Sequence, residues 1–220
     1  STMPGIGFDA VPTRKIRSKK DLGSAWDLFG SPLVLKGESS GIAFAFTKDQ
    51  ALEQWQAARQ ADATLSLAQP MVRGEEFGVS VVYDNSHKPV DQLAVKKLAM
   101  TEKGKTWGAI AVECGELVQG LDAYFEEIRW TGPADVEFIR DAVTDLYTII
   151  EINPRLPAWS AYTSMLGGNA ALQVVKAALG PSTTSQRQAE DLMFMRTTED
   201  IPANVQDFAL FASQNELRHV

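Results

Sequence analysis

The strongest constraint on this fold lies in DVEFIRDAVTDLYTIIEINPR, residues 135–155. Two runs rich in β-branched and aromatic residues flank the polar stretch DAVTD, which predicts strands near 134–140 and 146–153 joined by a tight turn. Antiparallel pairing about Thr144 sets Glu137 opposite Glu151, and facing carboxylates destabilise a plain hairpin. Alternation puts Glu151 and Asn153 on one face and turns Ile150 and Ile152 the other way into packing. Glu137, Glu151 and Asn153 then form an all-oxygen set on rigid strands, the donor chemistry magnesium takes. A bound cation would relieve the repulsion that the register creates. The competing reading is a solvated sheet edge, with Arg155 in a surface ion pair.

Composition narrows the alternatives. A chain of 220 residues, 45% hydrophobic and 22% charged, can bury a substantial core as one domain or as two lobes. Twenty-eight acidic against 21 basic residues give a net charge of -7 without a Lys/Arg cluster, which argues against a nucleic-acid partner. No run of 18 uncharged apolar residues could span a bilayer and no signal segment opens the chain, so no membrane partner is expected and a cytoplasmic location is the default. The single Cys114 cannot form an internal disulfide, and His87 and His219 are too few and too far apart for a zinc cluster. Ser1 to Met3 read as a cloning remnant ahead of Pro4.

Along the chain, Leu22, Ala25, Trp26 and Phe29 fall on one helical face behind the cap pair Ser18 and Asp21. Two strands, PLVLK and IAFAF, flank the polar loop GESSG, and Thr47 with Gln50 caps the next helix. TLSLAQPMV, EFGVSVVYD and QLAVKKLAM read as three further strands, and TEKGKTWG as a loop or a hairpin turn. Residues 113–130 predict a helix with Leu117, Leu121, Tyr124, Phe125 and Ile128 on its apolar face; residues 169–179 predict another, capped by Asn169. The expected fold class is α+β: a small lobe over 4–72, a large lobe over 73–180, and an extension of the large lobe over 181–220.

Three segments in order, PLVLKGESSG, LSLAQPMVRGEEFGVSVV and DVEFIRDAVTDLYTIIEINPR, together resemble the ATP-grasp superfamily. That superfamily comprises nucleotide-dependent carboxylate-amine and carboxylate-thiol ligases with their carboxylase and carbamoyl-phosphate synthase relatives. The resemblance spans about residues 12–180 and implies two α+β lobes with ATP between them. It assigns Lys36 to the α-phosphate and the adenine side, and the loop Gly37, Ser39, Ser40 and Gly41 to the β- and γ-phosphates. Gln69, Met71 and Val72 would lie along the adenine edge and Glu76 would hold the ribose. Gln69 departs from the usual glutamate, although a carboxamide still accepts a hydrogen bond. Of the neighbours Lys96 and Lys97 only one can face the cleft and touch phosphate; the sequence does not separate the two, and Lys96 is favoured. Glu137, Glu151 and Asn153 would hold Mg2+ or Mn2+, and Arg155 would steady the transferred phosphate.

The implied activity is ATP-dependent ligation of a small carboxylate, through an acyl-phosphate, to an amine such as an amino acid or peptide. Trp159, Ser160 and Tyr162 are candidate acceptor contacts, and Trp159 reads equally as packing. The resemblance implies a preceding Rossmann-like domain of about a hundred residues, which is not among these 220. A truncated piece, a short protein completed by a partner chain or a homodimer, and a degenerate nucleotide-binding member therefore all stay open. A bicarbonate-using activity is a further alternative, although residues 159–169 lack the charged stretch expected for it.

Overall fold

The computed structural model describes residues 8–37, 41–60, 65–101, 104–180, 192–197 and 205 of the chain. They build two sheets. The smaller has the strand order β2 (Arg14–Lys15), β5 (Leu65–Pro70), β3 (Leu33–Gly37), β4 (Ile42–Ala45), with every pair antiparallel. The larger runs β1 (Phe8–Ala10), β10 (Tyr147–Asn153), β9 (Gly132–Asp141), β6 (Gly74–Tyr83), β7 (Pro89–Met100), β8 (Thr106–Ala111), β11 (Met193–Met195). Only β1 and β10 pair in parallel. Residues 71–73 carry the chain from one sheet into the other.

In the small lobe, α1 (Lys19–Phe29) begins at a reciprocal cap in which the Asp21 amide donates to Ser18 Oγ at 3.2 Å and the Ser18 amide to Asp21 Oδ2 at 3.0 Å. The Gln50 amide likewise donates to Thr47 Oγ1 at the start of α2 (Lys48–Gln60). Leu22, Ala25, Ala51 and Trp55 from these helices bury Leu33, Leu35, Ala45 and Ala68 of the sheet. Alternation sends Val34 and Lys36 to the opposite face, where the register sets them against Gln69 and Leu67 on one side and Phe44 and Ile42 on the other.

In the large lobe, α3 (Gly115–Glu127) lays Leu117, Leu121 and Phe125 on Val79, Val81, Val136 and Phe138. Each such fully buried side chain contributes roughly 1.5–3 kcal/mol through removal from water. The other face is only partly covered, by α4 (Ala161–Met165), the turn that leads into it and α5 (Ala170–Leu179). Trp159, Tyr162, Ala170 and Ala177 from these segments pack on Leu93, Val95, Val82 and Val90. The end of that face that these segments leave free is polar and holds the site described below.

Three features differ from the sequence reading. Phe8–Ala10, grouped with the small lobe, instead pairs with β10 in the large sheet. Residues 106–111, read partly as loop, form β8, and the turn of the β7–β8 hairpin closes through a Thr101 amide to Lys105 carbonyl bond of 2.9 Å. Met193–Met195 adds an edge strand to β8. Among the described residues, no helix is long and apolar enough to cross a membrane.

Candidate functional site

The acidic hairpin carries a β-bulge. Near the turn, Tyr147 faces Arg140 and Ile149 faces Phe138; beyond Ile150 the register slips by one, so that Glu151 faces Glu137 and Asn153 faces Asp135. The pairing drawn about Thr144 therefore holds at the acidic end and fails beside the turn. The extra residue also breaks alternation: Ile149 is buried and Ile152 packs beside it in the core under α3, so Ile149 takes the place expected for Ile150. The bulged Ile150 offers its carbonyl to Lys36 Nζ at 3.1 Å.

Register places Glu76, Glu137, Glu151, Asn153 and Asp135 on one face, because Gly78 pairs with Glu137 and Ser80 with Asp135. Two lysines answer the facing glutamates. Lys36 reaches across from the small lobe to Glu151 Oε2 at 3.3 Å, and Lys97 lies 3.0 Å from Glu137 Oε2 and 3.4 Å from Glu76 Oε2. The Lys97 side chain is 1% exposed. Burial alone would lower its pKa, but the charges of Glu137 and Glu76 outweigh that and hold it above the ordinary lysine value. Ammonium groups thus relieve the repulsion for which a cation was expected. Among the described residues, no three His, Cys, Asp or Glu side chains converge as a metal-binding group.

Lys96 does not have the orientation expected of it. It pairs in register with Phe77, a residue of the α3 core, and its ammonium bonds Glu75 on that side of the sheet. Lys97 is the lysine on the acidic face, with Glu76 rather than Glu75 beside it.

Asp135 belongs to the same face and went unnoticed in the sequence, although its spacing of two from Glu137 carries the signal. It is 4% exposed. Burial, reinforced by the charge of Glu137, pushes its carboxyl up to about 7 despite Arg155 and Lys97. Arg155 Nη1 donates to its Oδ2 at 3.1 Å. The neighbouring Asn153 amide nitrogen is buried without a hydrogen-bond partner among the described residues. Buried polar groups normally find one, and an unpaired N–H donor suits an acceptor oxygen of a ligand; the Asn153 carbonyl oxygen with the Glu137 and Glu151 carboxylates is the all-oxygen donor set that fits a hard divalent cation.

On the nucleotide side, the Gly37 amide donates to the Gly41 carbonyl at 2.9 Å and Gly41 takes φ +95°, closing the loop after Lys36. Ser39 and Ser40 lie outside the described residues. Met71 and Val72 are half-buried in the connection between sheets, where the Met71 amide donates to the Pro32 carbonyl. The buried Gln69 carboxamide donates to Thr13 Oγ1 at 3.0 Å, and Thr13 in turn to the Val11 carbonyl. Its amino group thus ties β5 to the segment crossing between the sheets. Trp159 and Tyr162, expected as acceptor contacts, are buried with Phe194 as packing, and Ser160 is half-buried beside them.

With this geometry in place, comparison with known proteins shows what the chain is similar to. The family described as carbamoyl-phosphate synthase L chain, ATP binding domain, matches residues 116–185. N5-carboxyaminoimidazole ribonucleotide synthetase from Thermus thermophilus superposes with a TM-score of 0.71 at 17% identity, over 95% of this chain and 57% of that one. The biotin carboxylase domain dimer of Hydrogenobacter thermophilus 2-oxoglutarate carboxylase, in complex with MgADP, ADP and bicarbonate, gives 0.67 at 16% identity, over 83% and 44%. Biotin carboxylase from Campylobacter jejuni, in complex with β-γ-ATP, gives 0.67 at 17%, over 82% and 45%. The chain therefore spans about half the length of these structures. None of the curated proteins compared with it matches.

Proposed function

The chain has the ATP-grasp fold, and from that premise we propose that it is an ATP- and magnesium-dependent ligase that activates a carboxylate as an acyl-phosphate for attack by an amine. The observation that carries the reading is the meeting of Lys36 and Lys97, one from each lobe, on the facing carboxylates Glu151 and Glu137. Lysines that neutralise carboxylates in the free chain become available to phosphate oxygens once a divalent ion takes those carboxylates. A buried lysine has little other use for so acidic a wall.

In this reading Lys36 and the Gly37–Gly41 loop bind the triphosphate, with Ser39 and Ser40 supplied by that loop. Met71 and Val72 line the adenine edge beside Gln69, and Glu76 holds the ribose. Lys97, in the place first expected for Lys96, contacts phosphate. Glu137, Glu151 and Asn153 would hold Mg2+, or Mn2+, which when bound supplies charge neutralisation to the β- and γ-oxygens. The substrate carboxylate attacks the γ-phosphorus, and its bond to the ADP oxygen breaks. The amine then adds to the acyl carbon, loses its proton and expels phosphate. Arg155, Lys36 and Lys97 steady the charge on the transferred group, so positioning and electrostatics carry the rate without a protein nucleophile.

Bicarbonate as the activated acid is a second reading, favoured by the likeness in fold to biotin carboxylases. ADP release measured with Mg2+, ATP and a panel of carboxylates, bicarbonate and amines tests both. Acid-dependent ADP formation that is lost in Glu151→Gln is the expected result. ATP binding without turnover across the panel would favour a nucleotide-binding partner subunit instead. If Glu151→Gln binds Mg·ATP as tightly as the parent, the metal assignment fails.

A further inference from the structure

Of the acidic side chains on this face, Asp135 is paired with an arginine rather than a lysine. It sits between two strands, opposite Ser80 of β6 and Asn153 of β10, so its backbone is fixed on both sides. Arg155 lies just beyond β10, where its amide donates to the Asn153 carbonyl at 2.8 Å. The two partners differ sharply in access: the Asp135 side chain is 6% exposed and the Arg155 side chain 56%. An arginine that open would ordinarily sample many rotamers. Here Nη1 is held twice, by Asp135 Oδ2 at 3.1 Å and by the Leu156 carbonyl at 3.1 Å. Both bonds fall on Nη1 of a side chain that is 56% exposed, which leaves the other nitrogens of the planar fork open to a ligand.

We propose that Asp135 is a positioning residue that aims the Arg155 guanidinium at the terminal phosphate of bound ATP, and hence at the group being transferred. Asp135 itself touches no substrate; it acts only through Arg155. Among the described residues, Arg155 is the cation that bonds this buried carboxylate, and the cost of burying it is offset to the extent that the cation stays in place. Fixing the fork beforehand removes the ordering cost that a free side chain would meet on binding. This inference rests on the nucleotide-site reading above.

Calorimetric titration of the chain, with Mg2+ present, against ADP and against β,γ-imido-ATP separates the terminal phosphate from the rest of the nucleotide. The parent is expected to bind the imido analogue more tightly. Asp135→Asn keeps the shape of the side chain and is expected to weaken the imido analogue about tenfold, the scale of one charge-assisted hydrogen bond, while ADP changes less than about twofold. Arg155→Ala should do the same, and the double variant no more than either single one. Equal losses for both nucleotides, full additivity of the two substitutions, or a parent that does not distinguish the nucleotides would each overturn the proposal. Arg155→Lys keeps the charge and leaves Asp135 intact, so it tests aim without disturbing the buried position. It too should lose the discrimination, and retention of it overturns the role of orientation. A parent that binds neither nucleotide defeats the nucleotide-site reading itself, an outcome distinct from binding without coupling.

Discussion

At the scale of single residues, Asp135 ties stability to pH. Burial lifts its folded pKa to about 7 from an ordinary value of 3.8, so between those values the folded chain holds a proton that the unfolded chain releases. Stability therefore falls as pH rises through that window, and the cost is fully present above it. Asp135→Asn removes the titration. Its melting temperature should exceed that of the parent at pH 8, with the difference shrinking as the pH is lowered and gone near pH 4. Melting curves at unit pH intervals check this, and a difference independent of pH would refute the assignment. A variant more stable yet poorer at holding the terminal phosphate is the trade expected of a functional site. The sequence reading reached Glu137 and Glu151 because two glutamates facing across a turn are visible from alternation alone. Asp135 obeys the same alternation, but its meaning depends on depth, which the sequence does not carry. Lys96 and Lys97 were inseparable for a related reason: only the pairing of Lys96 with Phe77 tells which lysine shares the face of Glu137.

At the scale of elements, the entry into β6 depends on a glycine. A Cβ at Gly74 would lie 1.9 Å from the Arg140 carbonyl oxygen and 2.7 Å from its carbon, both backbone atoms of β9. Neither can step aside without parting the ladder that runs from Gly74–Asp141 to Tyr83–Gly132. Gly74→Ala should cost about 1–3 kcal/mol or more, the range for forcing volume into a packed site. Gly104 is the control: its φ of +76° strains any side chain, but among the described residues no heavy atom beyond its own chain neighbours lies within 4 Å of the added Cβ, so Gly104→Ala should cost only about 1–2 kcal/mol. Urea unfolding of both variants gives the comparison, and a smaller loss at Gly74 would contradict the close approach. Helix α3 starts at Cys114 without a side-chain cap and the short α4 was not read as a helix, whereas α1, α2 and α5 were legible down to their caps, since Ser18, Thr47 and Asn169 state their roles locally. The bulge at Ile150 was not. A bulge reconciles a turn register with a core register, and both partners must be known before the mismatch shows. The strands β1 and β11, three residues each, were missed for the same reason, because strands that short take their structure from the neighbour they join.

At the scale of the whole molecule, each lobe has its own hydrophobic core, and Lys36 is a polar tie between them, bonded to the Ile150 carbonyl and Glu151. The side chains of that pair are 13% and 43% exposed, and an ion pair with one open partner contributes roughly 0–1 kcal/mol. Lys36→Ala should then leave the melting temperature of the free chain nearly unchanged. Nucleotide changes the comparison. A ligand bound across both lobes at a hundred times its dissociation constant adds about 2.7 kcal/mol. That corresponds to a rise of roughly 5–10 °C for a chain of this size. Mg2+ alone must displace Lys36 and Lys97 from the carboxylates without offering those ammonium groups a new partner, so it should give little shift. The ion and the triphosphate together supply both exchanges, since the metal takes the carboxylates and the phosphates take the lysines. The expected pattern is a small response to Mg2+, a large one to Mg2+ with β,γ-imido-ATP, and loss of most of the large one in Lys36→Ala. If Lys36→Ala lowers the melting temperature of the free chain by as much as it reduces the ligand-induced rise, Lys36 is a structural tie alone. Its place on the nucleotide would then have to be given up.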